Sequence, residues 1–311
     1  MTDPILTPAV RAWAARTRPG ARVTGCTVQP LTGGYVSGRV ERVTLQLTGD
    51  HASADMENPE NVPMELVRKD VPAHEIAGLR AAQPLRPDAT AIPELVAWGE
   101  AWLMTPLAPG AALAHGQAPP PALFDSLAAL HARYQGDAGL PAPIPRVSPA
   151  WWRSLCQHWV VPGLRAPAAR HPAAVTERAR SLVARAATWP GAAAALAELP
   201  ATLLHGDVHP GNILVEEGRP TLIDWGSARV GPAALDLANL VPADSPGVAR
   251  YAAAWPALTG QPLPDGVLEL GYRWAALQIP VQYLPWTAAH RPTTAFTKAL
   301  DQIDQALAHL T

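Results

Sequence analysis

Lysine is nearly missing from this chain. Of its 24 basic residues only Lys69 and Lys298 are lysines, and the other 22 are arginine. Codon composition produces biases of this kind, so a lysine kept inside an apolar strand invites a chemical explanation. Its ammonium is a compact point charge that reaches between two phosphates, whereas arginine is a wide planar fork. Cysteine is as scarce. Cys26 and Cys156 are the only two and lie far apart in sequence, which predicts reduced thiols in a cytoplasmic protein. No charge of one sign dominates. A net charge of −2 gives neither nucleic acid nor an anionic membrane a reason to bind. Long apolar runs are absent too. The uncharged stretch Trp274 to Ala289 holds Pro280, Pro285, Gln278 and Gln282, which makes it a poor membrane span. The first six residues have no basic segment leading into an apolar one, so no signal peptide is expected. No internal repeat is visible. The 311 residues are enough for two lobes and a sizeable core.

Most of the information sits between residues 205 and 226, H-G-D-V-H-P-G-N-I-L-V-E-E-G-R-P-T-L-I-D-W-G. A loop carries Asp207 and, five residues on, Asn212. An apolar run, Ile213 to Val215, leads to a turn at Glu217 to Pro220 and a second apolar run at Leu222-Ile223. Two apolar runs around a Gly/Pro turn predict a β-hairpin. Antiparallel pairing brings the outer ends of its strands together, so Asn212 and Asp224 should meet at the open end with Asp207 one loop away. An amide oxygen beside a carboxylate suits Mg²⁺, and a free carboxylate nearby can orient or deprotonate a hydroxyl. This is the machinery of phosphoryl transfer. A different use of the same residues is a hydrolase metal cluster of His205, Asp207 and His209, which leaves Asn212 and Asp224 without a task.

The signatures H-G-D-x-H-P-x-N (His205 to Asn212) and φ-φ-D-[FW]-[GE] (Leu222 to Gly226) resemble those of the aminoglycoside phosphotransferase and choline kinase-like family, relatives of the protein kinases. The spacing from Asp207 to Asn212 is similar to that of the protein-kinase catalytic loop, while His209 and Pro210 place the resemblance in the small-molecule branch. The resemblance implies an α+β, bilobal, protein-kinase-like fold, with a sheet-rich small lobe over residues 1–104 and a helical large lobe over 105–311. It implies that His205 orients the loop and that Asp236 braces it, although Asp236 also reads as a simple charge at a helix N-terminus. Met104, Thr105 and Leu107 would be the hinge whose backbone groups meet the adenine edge. A glutamate is common near Thr105 in relatives, and this chain departs there.

Along the rest of the chain, residues 7 to 17 predict a helix capped by Thr7. Strands follow near Arg22 to Gln29 and Val40 to Leu47, around Leu31-Thr32-Gly33-Gly34-Tyr35-Val36-Ser37-Gly38. A glycine-rich turn of this kind lets backbone amides approach phosphates, and in the family it covers the nucleotide through positions matching Gly33, Gly34 and Ser37. His51 to Val62 reads as a polar surface loop. Met64 to Lys69 predicts a strand and Ala73 to Ala82 a helix, so that Lys69 and Glu75 fit the kinase lysine–glutamate pair. Strand alternation sends one of Arg68 and Lys69 to the cleft. Further strands are expected at Glu94 to Trp98 and Ala101 to Met104, then a linker over Thr105 to Gly110. Helices are expected at 122–134, 151–160, 174–187, 246–255, 266–276 and 294–310.

The expected activity is therefore an ATP- or GTP-dependent, Mg²⁺-dependent transfer to a small hydroxyl compound. Asp207 would be the base, Asn212 and Asp224 the metal ligands, and Lys69, Glu75, Gly33, Gly34 and Ser37 the nucleotide contacts. The alternative is a relative that binds nucleotide without catalysis. For the acceptor, residues 141–200 hold seven arginines against Glu177 and Glu198, which leans away from a polycation. Trp151, Trp152, Trp159, Trp274, Tyr283 and Trp286 read either as core or as walls for a sugar or an amino alcohol.

Overall fold

Thr7 starts the first helix. Its hydroxyl accepts from the Val10 amide at 3.3 Å, and Pro8 occupies the first turn of α1 (Pro8–Thr17). The computed structural model describes residues 5–31, 38–48, 63–86, 90–136 and 139–310, without the side chain of Ala168. Gly33, Gly34, Ser37 and the segment His51 to Val62 lie outside the described residues. The buried stripe of α1, Val10, Trp13 and Ala14, packs on one face of an antiparallel sheet. The sheet consists of β1 (Arg22–Pro30), β2 (Val40–Thr48), β3 (Glu65–Asp70), β4 (Ala97–Trp98) and β5 (Trp102–Pro106) in the order β1-β2-β3-β5-β4. Between them α1 and the sheet enclose Val23, Val43, Leu45, Met64, Leu66 and Met104.

The opposite face of the sheet meets α2 (Ala73–Ala82), where the sequence placed it. Ile76, Leu79 and Ala82 join Val71 and Leu103 from the sheet side with Leu130, Tyr134, Leu203, Trp225 and Ala228 from the rest of the molecule. This apolar cluster cements the sheet to the helical part, since each fully buried large side chain contributes roughly 1.5–3 kcal/mol. β5 runs to Pro106, into the segment expected as a linker. The Val67–Thr105 and Leu66–Pro106 pairs extend the ladder, and the Leu107 amide still donates to the Glu65 carbonyl at 2.9 Å.

Beyond β6 (Ala111–Ala112), helix α3 (Pro121–Arg133) packs on the later helix Pro246–Thr259 and lies against the strand Ala201–Leu204. Then α4 (Pro149–Ser154), a π-helical stretch Leu155–Val160 and α5 (Val161–Gly163) form one continuous segment, followed by α6 (Ala173–Ala187) and α7 (Pro190–Glu198). Strands β7 (Ala201–Leu204), β8 (Ile213–Glu216), β9 (Arg219–Leu222) and β10 (Arg229–Pro232) form two small sheets, β10-β7 and β6-β8-β9. The chain continues through α8 (Ala234–Ala238), α9 (Pro246–Thr259), α10 (Val267–Gln282), α11 (Leu284–His290) and α12 (Thr293–His309). Ser245 caps α9 through the Val248 amide, with Pro246 at the first position as expected. No described helix is long and apolar enough to cross a membrane.

The predicted hairpin is present with a tighter turn. Glu217 and Gly218 both have positive φ, 49° and 77°, the signature of a two-residue type I′ turn. Arg219 and Pro220, expected in the turn, instead begin β9 opposite Glu216 and Val215. Pro220 is tolerated there because β9 is an edge strand.

Candidate active site

The loop after β7 is shaped by Gly206. Its φ is +84°, and a Cβ there would stand 2.1 Å from the Ser227 carbonyl oxygen, so no other residue fits. On one side of it His205 is fully buried. Its Nε2 donates to the Ile223 carbonyl at 2.9 Å, and its Nδ1 accepts from the Asp207 amide at 3.3 Å. Those two partners select the neutral Nε2–H tautomer. Burial holds the imidazole below its ordinary pKa, against the pull of Asp236 and the Ile223 carbonyl. His205 thus ties the loop to the strand that delivers Asp224. It is not a metal ligand, and no cluster of three or more His, Cys, Asp or Glu suited to a metal occurs among the described residues.

Asp236 braces the same loop from α8. Its two carboxylate oxygens accept the His205 and Gly206 amides, each at 2.8 Å, while His131 Nε2 lies 3.3 Å from Oδ2. Burial works to raise this carboxyl group. The bond and charge of His131 and the Gly206 amide outweigh it and hold Asp236 below the usual carboxylate range. Its oxygens serve the loop, so the bracing reading prevails over that of a helix-terminal charge.

Asp207 and Asn212 are joined directly. Asn212 Nδ2 donates to the Asp207 carbonyl at 3.0 Å and approaches its carboxylate Oδ2 at 3.4 Å. With the amide nitrogen committed to Asp207, the amide oxygen turns the other way. The Ile223 amide donates to the Asn212 carbonyl at 2.9 Å, which sets Asn212 beside the residue preceding Asp224. His209 stands 3.7 Å from Asp207 Oδ2, and its Nδ1 caps the short turn Pro210–Asn212 through the Gly211 amide at 3.0 Å. Asp224 adopts φ 61° and ψ 72°, a left-handed conformation that costs a non-glycine residue roughly 1–3 kcal/mol and collects at functional sites.

Lys69 faces the cleft and Arg68 does not. Arg68 shares its face of β3 with Leu66, binds buried Glu41 at 2.9 Å and lies over the Trp102 ring. Lys69 Nζ reaches Glu75 Oε1 at 3.0 Å, Oε2 at 3.3 Å and Asp224 Oδ1 at 2.6 Å. Burial pushes the ammonium pKa down, but the Glu75 and Asp224 carboxylates outweigh burial and leave it above its ordinary value. The two carboxylates respond differently because their surroundings differ. Burial dominates at Glu75 and raises it, whereas Asp224 is less enclosed and Lys69 brings it below the usual range. Near Asp224, His74 Nε2 lies 2.8 Å from the Gly226 carbonyl, pinning α2 to the turn after Asp224.

These groups suit a divalent cation. Asn212 and Asp224 offer an amide oxygen and a carboxylate at one end of the hairpin, the hard oxygen donors that Mg²⁺ selects. Met104 is buried at the sheet side, with Thr105 and Leu107 half-buried beyond it. The Leu107 amide is already used by Glu65, and Pro106 has no amide to give.

Two neighbours of this loop escape a sequence reading. Tyr283, at the junction of α10 and α11, donates its phenol to Asp207 Oδ1 at 2.5 Å. It appears in sequence only as one aromatic among several. Arg229 is 8% exposed and donates to the Gly206 carbonyl and, at 2.8 Å, to Gln282 Oε1. Nothing marks it among the other arginines. Of the remaining aromatic candidates, Trp152 and Trp274 are core, packed edge to face, Trp151 lies by Arg229, and Trp159 is 66% exposed. Tyr283 also lines a cavity of about 1430 Å³ bounded by α8, α10, α12 and the segment 239–243, with Tyr272, Ile279, Gln302 and Gln305 among its walls. The one carboxylate among its described lining residues, Glu269, is bonded to Arg273. Asp301 and Asp304 are paired with Arg178 and Arg185, at 2.7 and 2.5 Å.

The sequence profile of the phosphotransferase enzyme family matches residues 67–270. Among solved structures, the choline kinase of Cryptosporidium parvum Iowa II is 12% identical over 96% of each chain, with a TM-score of 0.59. A macrolide 2′-phosphotransferase from Brachybacterium faecium is 21% identical over 96% of this chain and 98% of its own, with a TM-score of 0.47. The architecture is the α+β, protein-kinase-like fold expected from the motifs. No curated protein matches the chain.

Proposed function

This chain belongs to the phosphotransferase enzyme family, the group of aminoglycoside phosphotransferase and choline kinase-like proteins, and from that membership we propose that it transfers the γ-phosphoryl group of ATP or GTP to a hydroxyl of a small molecule. The observation that carries the proposal is the convergence of Asp207, Asn212 and Asp224 at the open end of one hairpin, with Lys69 drawn onto Asp224 at 2.6 Å. Asp207 orients the acceptor hydroxyl and takes its proton as the hydroxyl oxygen bonds to the γ-phosphorus. The bond from phosphorus to the bridging oxygen breaks, and the nucleoside diphosphate leaves.

Asn212 and Asp224 would hold Mg²⁺, which when bound neutralises charge on the β- and γ-phosphates. Lys69, kept in place by Glu75, contributes a point charge to the α- and β-phosphates. Gly33, Gly34 and Ser37 complete the nucleotide cover, and Met104, Thr105 and Leu107 the adenine wall. With few side-chain atoms reacting, catalysis consists of positioning and charge neutralisation.

The acceptor enters through the cavity that ends at Tyr283. The one carboxylate among its described lining residues, Glu269, is paired with Arg273, which favours a neutral or singly charged hydroxyl compound. Substrate-dependent release of nucleoside diphosphate tests the proposal, with amino sugars, choline-like alcohols, sugars and hydroxy amino acids as the panel. At least one compound is expected to stimulate release in the presence of Mg²⁺. Tight nucleotide binding with no stimulation by any compound would indicate a relative that binds without catalysis.

A further inference from the structure

Tyr283 is where the acceptor cavity and the proposed base meet. It lines the cavity, and its hydroxyl sits on Asp207 Oδ1 at 2.5 Å. The residue closes α10 and opens α11 at φ −90° and ψ 3°, so it occupies a break between helices. Asn212 is near the other carboxylate oxygen, Oδ2, at 3.4 Å. The phenol therefore covers the carboxylate oxygen that Asn212 does not approach. Burial, reinforced by the Asp207 charge, raises the phenol pKa well above its ordinary value, so the O–H is retained as a donor at neutral pH.

This arrangement has a chemical consequence. A positioned base next to a bound triphosphate activates water as readily as an alcohol, and the nucleotide is then hydrolysed without product. A hydroxyl already bonded to the base prevents that. Resting on Asp207 as the base, we infer that Tyr283 occupies the acceptor's place on Asp207 in the empty enzyme, keeps water from being activated there, and yields that place to the hydroxyl of a compound that fills the cavity. Tyr283 is thus a positioning residue that makes the enzyme choose its acceptor over water. It transfers no group itself.

The test uses the full chain with Tyr283→Phe, which keeps the ring and removes the hydroxyl. Nucleotide hydrolysis without acceptor is expected to rise roughly 10- to 100-fold, the factor that one hydrogen bond to a charged group carries. The KM for nucleotide should stay near that of the wild type, which also certifies that the variant folds. Adding Asp207→Asn to Tyr283→Phe should abolish the rise. Tyr283→Leu, which also removes the ring, should hydrolyse at least as fast as Tyr283→Phe. Acceptor-free hydrolysis at or below the wild-type rate in both single variants overturns the inference. Asp207→Asn tested alone separates the two readings. If it retains acceptor phosphorylation, Asp207 is not the base and the inference loses the premise it rests on, although phosphoryl transfer itself stands. If it abolishes phosphorylation while neither Tyr283 variant raises hydrolysis, only the role of Tyr283 fails.

Discussion

The Lys69 ammonium lies 2.6 Å from Asp224 Oδ1 and 3.0 Å from Glu75 Oε1, so one cation joins the helix beneath the sheet to the turn that closes the hairpin. A bound nucleotide with Mg²⁺ would share these partners, with the metal taking the Asp224 carboxylate and the ammonium the phosphates. Asp224→Ala is therefore expected to weaken Mg²⁺-dependent nucleotide binding more than Mg²⁺-free binding. Titrations with and without Mg²⁺ check this. Equal losses under both conditions would remove Asp224 from the metal site.

Removing the brace beneath the loop should destabilise the fold. Asp236→Ala leaves the buried His205 and Gly206 amides and His131 without their acceptor, and each unsatisfied buried group costs roughly 1–3 kcal/mol. The expected loss of about 3 kcal/mol or more is read from denaturant unfolding. A variant as stable as the parent would show that water replaces the carboxylate without cost.

A pH dependence follows from His205. Its folded-state pKa lies below the ordinary 6.5 because of burial, so the folded state binds fewer protons than the unfolded one. The stability this contributes is complete above about pH 6.5 and is lost as pH falls through the depressed folded value. Asp236, also depressed, adds the same sign in a lower window, beneath its ordinary 3.8. Tm measured against pH should begin to fall below about 6.5, and His205→Gln should flatten that first limb while leaving the second. An unchanged first limb in the variant would exclude His205 as its source.

The acceptor should be neutral or singly charged. A polycation sheds hydration on entering a cleft, and only nearby carboxylates compensate. Of the C-terminal acids, Glu269, Asp301 and Asp304 are already bound to Arg273, Arg178 and Arg185. Comparing kcat/KM for kanamycin-like compounds with that for simple amino alcohols and sugars decides the matter. Efficient phosphorylation of kanamycin, with the others inert, would mean that these ion pairs open for the substrate.

The parts legible in sequence are those whose partners lie close in the chain. The loop from His205 to Asn212 and the hairpin to Asp224 were readable because turn chemistry and strand alternation act over a few residues. The pairing of Lys69 with Glu75 is legible instead through the resemblance to the kinase lysine–glutamate pair. Alternation left Arg68 and Lys69 undecided until buried Glu41, on β2, engaged Arg68. Helix α7, rich in alanine, offers no apolar stripe to detect, and α11 carries Pro285 in its first turn, which reads as a break. Tyr283 reaches Asp207 across 76 residues. That contact is set by how α10 and α11 pack, and no local pattern encodes it.

Asp207 carries the central claim, and its amide variant tests it with little change of shape. Asp207→Asn keeps the side-chain volume and leaves Lys69, Glu75, Asn212 and Asp224 in place, yet a neutral amide cannot take the acceptor's proton. With the best acceptor from the panel, its transfer rate should fall roughly 10²–10⁴-fold, while nucleotide affinity in the presence of Mg²⁺ stays close to that of the parent. Transfer within a few-fold of the parent, or a collapse of nucleotide binding instead of transfer, would contradict the account.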